Sequence, residues 1–178
     1  MKTIKFVFLL NCCACSLALF AQENYHADSP VFFESSLSVV TKSHGLTPQS
    51  FQLRLGCQDV VPKLNIYFNA ELAQSKGKEE KGFGFHYSSN NLGGGISYRL
   101  LNSNKGLFLP FNTLNVHFTC GTTVGNALWK NTLYEAGLSL GCHKRFTPIL
   151  GIGYRWMHSE NDCLEHLHGL VFSMGVRF

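Results

Sequence analysis

Eight stretches of this chain alternate apolar residues with small or polar ones at a period of two. Two is the strand period, at which successive side chains face opposite sides of a sheet. The last stretch shows it best: Leu170, Phe172, Met174, Val176 and Phe178 alternate with Gly169, Val171, Ser173, Gly175 and Arg177. The same pattern runs through 150–156, 134–140, 114–118, 96–100, 64–70, 51–55 and 33–39. A tilted strand needs ~9–11 residues to cross a bilayer, and bacterial barrels use an even number of strands.

The composition of the second face decides which side points where. It is built of Gly, Ser, Asn and a few charges. In a soluble two-sheet sandwich or a lipocalin-like barrel that face would meet water, where glycine weakens a strand and packs against nothing. Small residues suit the crowded inside of a narrow barrel instead. The apolar face therefore points outward, to lipid. Tyr134, Tyr154 and Trp156 near one end, with Tyr98 and Phe178 near the other, read as two aromatic girdles. The expected fold is a closed eight-stranded antiparallel transmembrane β-barrel over 22–178, with both termini periplasmic. Its periplasmic turns are expected to be short (59–62, 102–105, 143–146) and its outer loops longer (42–50, 73–91, 120–131, 158–167).

The beginning of the chain fits export. Lys2 and Lys5 precede an apolar run over 6–20, broken by Asn11 and three cysteines, and small Ala21 precedes Gln22. That run is too short for a spanning helix and matches a secretory signal over 1–21. Two of the 15 Lys+Arg leave with it, so 13 face 11 Asp+Glu. So small an excess excludes a strongly basic nucleic-acid binder, and export excludes a cytosolic enzyme.

Seven charges fall on inward positions: Glu34, Arg54, Glu71, Arg99, Glu135, Arg155 and Arg177. Strand direction puts Glu34, Arg99 and Arg177 near the periplasm and Glu71, Glu135 and Arg155 near the outside, so both signs occur at each level. An unpaired charge in a narrow, low-dielectric interior is expensive, so partners are expected. A salt-bridged plug is one reading and a gated polar path the other. An open general pore is excluded by both, since aqueous channels take about 16 strands.

The terminal Leu-Val-Phe-Ser-Met-Gly-Val-Arg-Phe, apolar at every second position and ending on Phe178, resembles the last strand of small eight-stranded outer-membrane barrels. That group includes the OmpA and OmpX transmembrane barrels and the lipid A modifying barrels. The resemblance implies an outer-membrane location and assembly by the barrel-assembly machinery, with Phe178, Val176, Met174, Phe172 and Leu170 as the signal it reads. Outer-membrane lipids and lipopolysaccharide are then the expected surroundings. A monomer without cofactor or nucleic acid is expected. Fold and location follow from such a likeness more directly than activity does.

Three local patterns bear on chemistry. His86-Tyr87-Ser88 puts a base and a hydroxyl on one strand face, the arrangement acyl transfer needs when a third group orients the base. It is similar to the His-x-Ser-Asn motif of lipid A 3-O-deacylases, which implies His86 as base and Ser88 as nucleophile. Ser89 stands where that motif has Asn, and no Asp or Glu lies between Asn90 and Arg99. A polar loop entering a strand is the plainer reading. Next, His158, Cys163, His166 and His168 offer imidazole and thiolate ligands for zinc or copper, although their spacing matches no standard cage and outer loops are polar anyway. Last, Cys57, Cys120, Cys142 and Cys163 remain after the signal; Cys57 and Cys142 sit outward as small apolar residues, while Cys120 and Cys163 share the outer end, where a bridge is chemically permitted.

Two further stretches carry no site. Lys76, Lys78 and Lys81 are nearly cancelled by Glu79 and Glu80, and Gly93-Gly94-Gly95 lies within a strand rather than in a phosphate-binding loop. The expected function is non-enzymatic: an envelope-structural or surface-binding barrel acting through its outer loops. A lipid A-directed acyl hydrolase using His86 and Ser88 is the alternative. An accessory barrel of a secretion or transfer machine is the second.

Overall fold

A computed structural model describes residues 30–41, 46–78, 84–103, 111–125, 127, 130–142, 147–160 and 166–178, and of 76–78 and 84–87 the backbone alone. Eight strands follow one another: β1 (Val31–Val40), β2 (Gln49–Val61), β3 (Leu64–Lys78), β4 (Gly84–Asn102), β5 (Thr113–Thr123), β6 (Asn131–Gly141), β7 (Thr147–Ser159) and β8 (Leu167–Arg177). Each pairs antiparallel with its sequence neighbour, and β8 returns to β1 to close the barrel. Closure leaves no free sheet edge around the wall. The alternation predicted in each of the eight stretches lies within one of these strands. Among the described residues, no helix is long and apolar enough to cross a membrane, a statement that does not concern strands.

The start of β1 and the end of β8 share one end of the barrel, here the near end, with the β2–β3, β4–β5 and β6–β7 connections. The other four connections lie at the far end. Strand ends differ from expectation in places. The stretch 73–91, expected as a loop, is mostly strand: β3 reaches Lys78 and β4 starts at Gly84, in register from Lys78↔Gly84 inward. β2 pairs with β3 only as far as Gln74, and β5 with β4 only as far as Asn91, so this hairpin continues past its neighbours. On the β3 arm Gln74 to Lys78 are polar or glycine throughout, and on the β4 arm Phe85 and Tyr87 share the sequence parity of Ser89 and Asn91, so the outward-apolar alternation is lost while the backbone ladder stays intact. Likewise β5 extends to Thr123, and β7 and β8 take up Ser159 and Leu167, trimming the loops expected over 120–131 and 158–167. The near-end turn expected at 102–105 is instead an interval over 103–112, closed at its base where the Ser103 amide donates to the Asn112 carbonyl at 2.9 Å.

The two faces differ sharply. Exposed large apolar residues come from every strand, among them Val39, Leu55, Phe68, Ile96, Phe118, Leu138, Ile152 and Phe172. The inward face is polar and buried: Ser36, Ser38, Ser50, Gln52, Asn65, Asn69, Asn91, Asn115 and Thr119, together with the charges described below. Near the far end this interior turns apolar, where Leu133, Met157 and Leu167 pack together with Leu46. The barrel is thus the reverse of a soluble protein, in which apolar side chains go inside.

Tyr67 shows why glycines recur on the inward face. Tyr67, Gly95 and Thr119 share one register row across β3, β4 and β5. The phenol lies over the glycine and its hydroxyl meets Thr119 Oγ1 at 2.7 Å. A Cβ at Gly95 would come within 2.5 Å of the ring and would also meet the Phe118 carbonyl. Gly95→Val is therefore expected to lose ~1–3 kcal/mol of unfolding free energy, as overpacking does. A urea titration of the refolded barrel checks this, and an unchanged midpoint would refute the close approach.

Candidate functional site

The barrel axis is occupied by one connected set of ion pairs. Register places Glu34 directly across from both Arg54 and Arg177, and Glu135 directly across from Arg155. Arg54 Nη1 donates to Glu34 Oε1 at 3.0 Å, and Arg177 Nη2 donates to Glu34 Oε2 at 2.9 Å. Arg155 Nε donates to Glu135 Oε2 at 2.9 Å, and its Nη2 meets the same oxygen.

Other contacts cross the lumen. Arg155 Nη1 reaches Glu71 Oε1 at 2.7 Å, from β7 to β3, and Arg54 Nη2 lies 3.6 Å from Glu135 Oε1, from β2 to β6. The result is a continuous column, Arg177–Glu34–Arg54–Glu135–Arg155–Glu71, with three charges of each sign. Arg155 is 1% exposed, and Glu34, Glu71 and Glu135 are equally withdrawn from water.

Neutral groups complete the column. Gln52 accepts from Arg54 at 3.1 Å and donates to Glu71 at 3.4 Å. Ser50 and Ser38 accept from Arg155 at 3.3 Å and 3.5 Å. Arg54 lies 5.1 Å from the centroid of the Tyr67 ring, and Arg177 4.5 Å from that of Phe32, each using the negative face of an aromatic. His117 Nε2 meets Glu135 Oε1 at 3.2 Å, while its Nδ1 is buried without a hydrogen-bond partner. A carboxylate accepts, so Nε2 carries the proton of the neutral ring.

Arg99 is the inward charge that the structure keeps apart from this column. Its Nη2 pairs with Asp59 Oδ2 at 3.2 Å, at the β2–β3 turn of the near end. Asp59 has φ of 50° and Lys63 φ of 71° there, and the Asp59 carboxylate also accepts the Lys63 amide at 3.0 Å. Reasoning from net charge overlooked His117 and Gln52, yet both occupy inward positions of the alternation, and that is the signal that finds them.

The column has the geometry of a plug. Its charges are paired, its contacts Arg155–Glu71 and Arg54–Glu135 cross between non-adjacent strands, and the Leu133–Met157–Leu167 layer lies beyond it towards the far end. In such surroundings each pair is weakly screened.

The remaining candidates lie at the far end of the strands or on the outward face. Ser88 is exposed, in register with Gln74, and His86 is in register with Lys76; neither cross-strand neighbour is an acid, and the His86 side chain lies outside the described residues. Among the described residues, no three His, Cys, Asp or Glu side chains are grouped to hold a metal ion, and Cys163 lies outside them. His158 and His166 stack on each other at 4.1 Å, and His168 stacks on Tyr154 at 6.3 Å. Cys57 and Cys120 are exposed and Cys142 is half-buried, and no disulfide joins them among the described residues. β8 places Leu170, Phe172 and Met174 on the exposed face and leaves Val176 half-buried, as is Phe178 just past its end, with the Phe178 ring stacked on Phe33 at 6.3 Å. The segment 1–21 lies outside the described residues.

Comparisons with family models, with curated proteins and with solved structures return no match for this chain.

Proposed function

We propose that this chain is a small integral outer-membrane β-barrel, exported with a cleaved signal over 1–21, that acts without catalysis as an envelope-structural or surface-binding protein. The observation that carries the reading is the inversion of the barrel: large apolar side chains exposed on all eight strands, and arginine–glutamate pairs buried inside. Exposed apolar surface encircling a protein requires an apolar surrounding, and closed barrels are the strand architecture a bilayer admits. Eight strands leave an interior just wide enough for side chains to fill, and here paired charges fill it. A sealed barrel transports nothing through its axis, so its contacts with the outside are made at the far-end connections and on the lipid face. The same class of surroundings implies lipopolysaccharide as neighbour and the barrel-assembly machinery as the route of insertion.

The test combines location with chemistry. The full chain, expressed in a Gram-negative host, is expected in the outer-membrane fraction with heat-modifiable gel mobility. Lipid A from those cells is expected to have the same mass spectrum with wild type and with Ser88→Ala. A soluble, heat-insensitive product would overturn the membrane reading. Loss of an acyl chain with wild type alone would overturn the non-enzymatic one.

A further inference from the structure

On the outward face of β6, β7 and β8, aromatic and imidazole rings collect at the far end. Tyr134 and Trp156 are in register, as are Trp156 and His168. Tyr154 lies between Trp156, tilted against it with ring centroids 4.6 Å apart, and His168, on which it stacks. Just beyond them, His158 and His166 form the parallel stack at 4.1 Å. Trp156 is 48% exposed, and both histidines of the stack are exposed.

The hydrogen-bonding groups of this face lean towards donors. His166 Nδ1 accepts the Ser159 amide at 3.3 Å, which puts the proton of the neutral ring on Nε2 and leaves that N–H to donate outward. The same bond argues against metal ligation, because a metal on Nε2 would force a proton onto Nδ1, against a donor. Indole offers only an N–H and Tyr134 a hydroxyl. Exposed Lys130 continues the face, its carbonyl accepting the Glu160 amide at 3.0 Å. Glu160 is the single acid at this edge among the described residues. A donor-rich face beside an aromatic girdle complements a ligand that is all acceptor at headgroup level.

Resting on the membrane reading above, we infer that the His158–His166 stack, with Trp156 and Lys130, binds the phosphate of a net-anionic membrane lipid headgroup, one with no cation of its own, at the outer end of the barrel. The aromatic rings seat the glycerol or sugar region, and the imidazole and ammonium donors take the phosphate oxygens. Lipid, rather than dissolved anion, is the source because the donors adjoin the apolar band of β6–β8, where Leu170 and Phe172 continue the exposed face.

Quenching of Trp156 tests this in the full-length chain. Trp129→Phe leaves Trp156 as the sole tryptophan, since the chain has two. The protein is refolded into phosphatidylcholine vesicles containing either brominated phosphatidylglycerol or brominated phosphatidylcholine. Brominated phosphatidylglycerol is expected to quench with about fivefold preference, the scale of one favourable headgroup charge contact. Lys130→Ala/His158→Ala/His166→Ala is expected to bring that preference to one while leaving heat-modifiable mobility unchanged. Equal quenching by both lipids in the parent, or a preference that survives in the triple variant, would overturn the site. A preference abolished by inorganic phosphate would make it a site for dissolved anions and overturn the lipid assignment. Failure to insert into either vesicle would instead sink the membrane reading itself.

Discussion

Arg155→Ala is expected to cost ~3–5 kcal/mol of unfolding free energy, the largest effect of any single substitution considered, because it strands two buried carboxylates. Arg155 serves Glu135 through Nε and Nη2 and Glu71 through Nη1. Without it, among the described residues Glu71 keeps the Gln52 amide alone, and Glu135 keeps His117 and the longer contact to Arg54. Arg155→Lys is expected to fall between, because an ammonium is a point charge and cannot fork to carboxylates on opposite walls. The double variant Arg155→Met, Glu71→Gln is expected to recover most of the loss, since it leaves two charges of each sign and the costly species is an uncompensated charge rather than a missing pair. Urea unfolding in vesicles, followed by tryptophan emission and by heat-modifiable mobility, reads all three. An Arg155→Ala variant within ~0.5 kcal/mol of wild type, the range of ordinary surface changes, would show that the column does not hold the barrel.

Ile152→Arg separates lipid from water as the surrounding of the outer face. Ile152 is 47% exposed and lies in register with Leu138 on one side and Phe172 on the other, both exposed. Arginine at the midplane of a membrane barrel costs ~2–4 kcal/mol, falling to ~0–1 near the interfaces. Val61→Arg, beside the β2–β3 turn, is the matching control and is expected to show the smaller loss. In a water-soluble barrel both substitutions would be neutral, and Ile152→Arg would improve solubility. Equal unfolding midpoints for the two variants and wild type would therefore remove the bilayer from the account.

Much of the fold was legible because its signal is local. The alternation through Leu170, Phe172 and Met174, or through Leu150, Ile152 and Tyr154, states the strand and its outward face without reference to any partner. The signal disappears where both faces are polar. Gln74, Ser75 and Lys76 carry no apolar member, and across from them Phe85 and Tyr87 fall out of phase with Leu92 and Ile96, so the β3–β4 hairpin beyond the barrel wall read as loop although its backbone is paired to Lys78↔Gly84. Over 103–112 the polar run stops at Lys105 and apolar Leu107, Phe108, Leu109 and Phe111 follow, so the length of the connection emerged only from where β4 ends and β5 begins.

The candidate site divides in the same way. Inward parity identified the column's arginines and glutamates, and it placed Arg99 with them. Backbone irregularity separated Arg99: the ladder shifts between Arg99 and Leu101, and the β2–β3 turn brings Asp59 to it. His117 escaped attention because it has no formal charge, yet it completes the donors around Glu135.

The sequence by itself determined which residues face in and which face out, since a period of two follows from backbone geometry one residue at a time. The tertiary structure alone decided which charges meet. Arg155 and Glu71 are 84 residues apart, on strands that are not neighbours, and touch only because the sheet closes into a barrel narrow enough for two side chains to span. Closure also set the strand register that puts Glu34 between Arg54 and Arg177. Facing is a local property of a strand, whereas pairing across a lumen depends on strand number and stagger, which belong to the whole barrel.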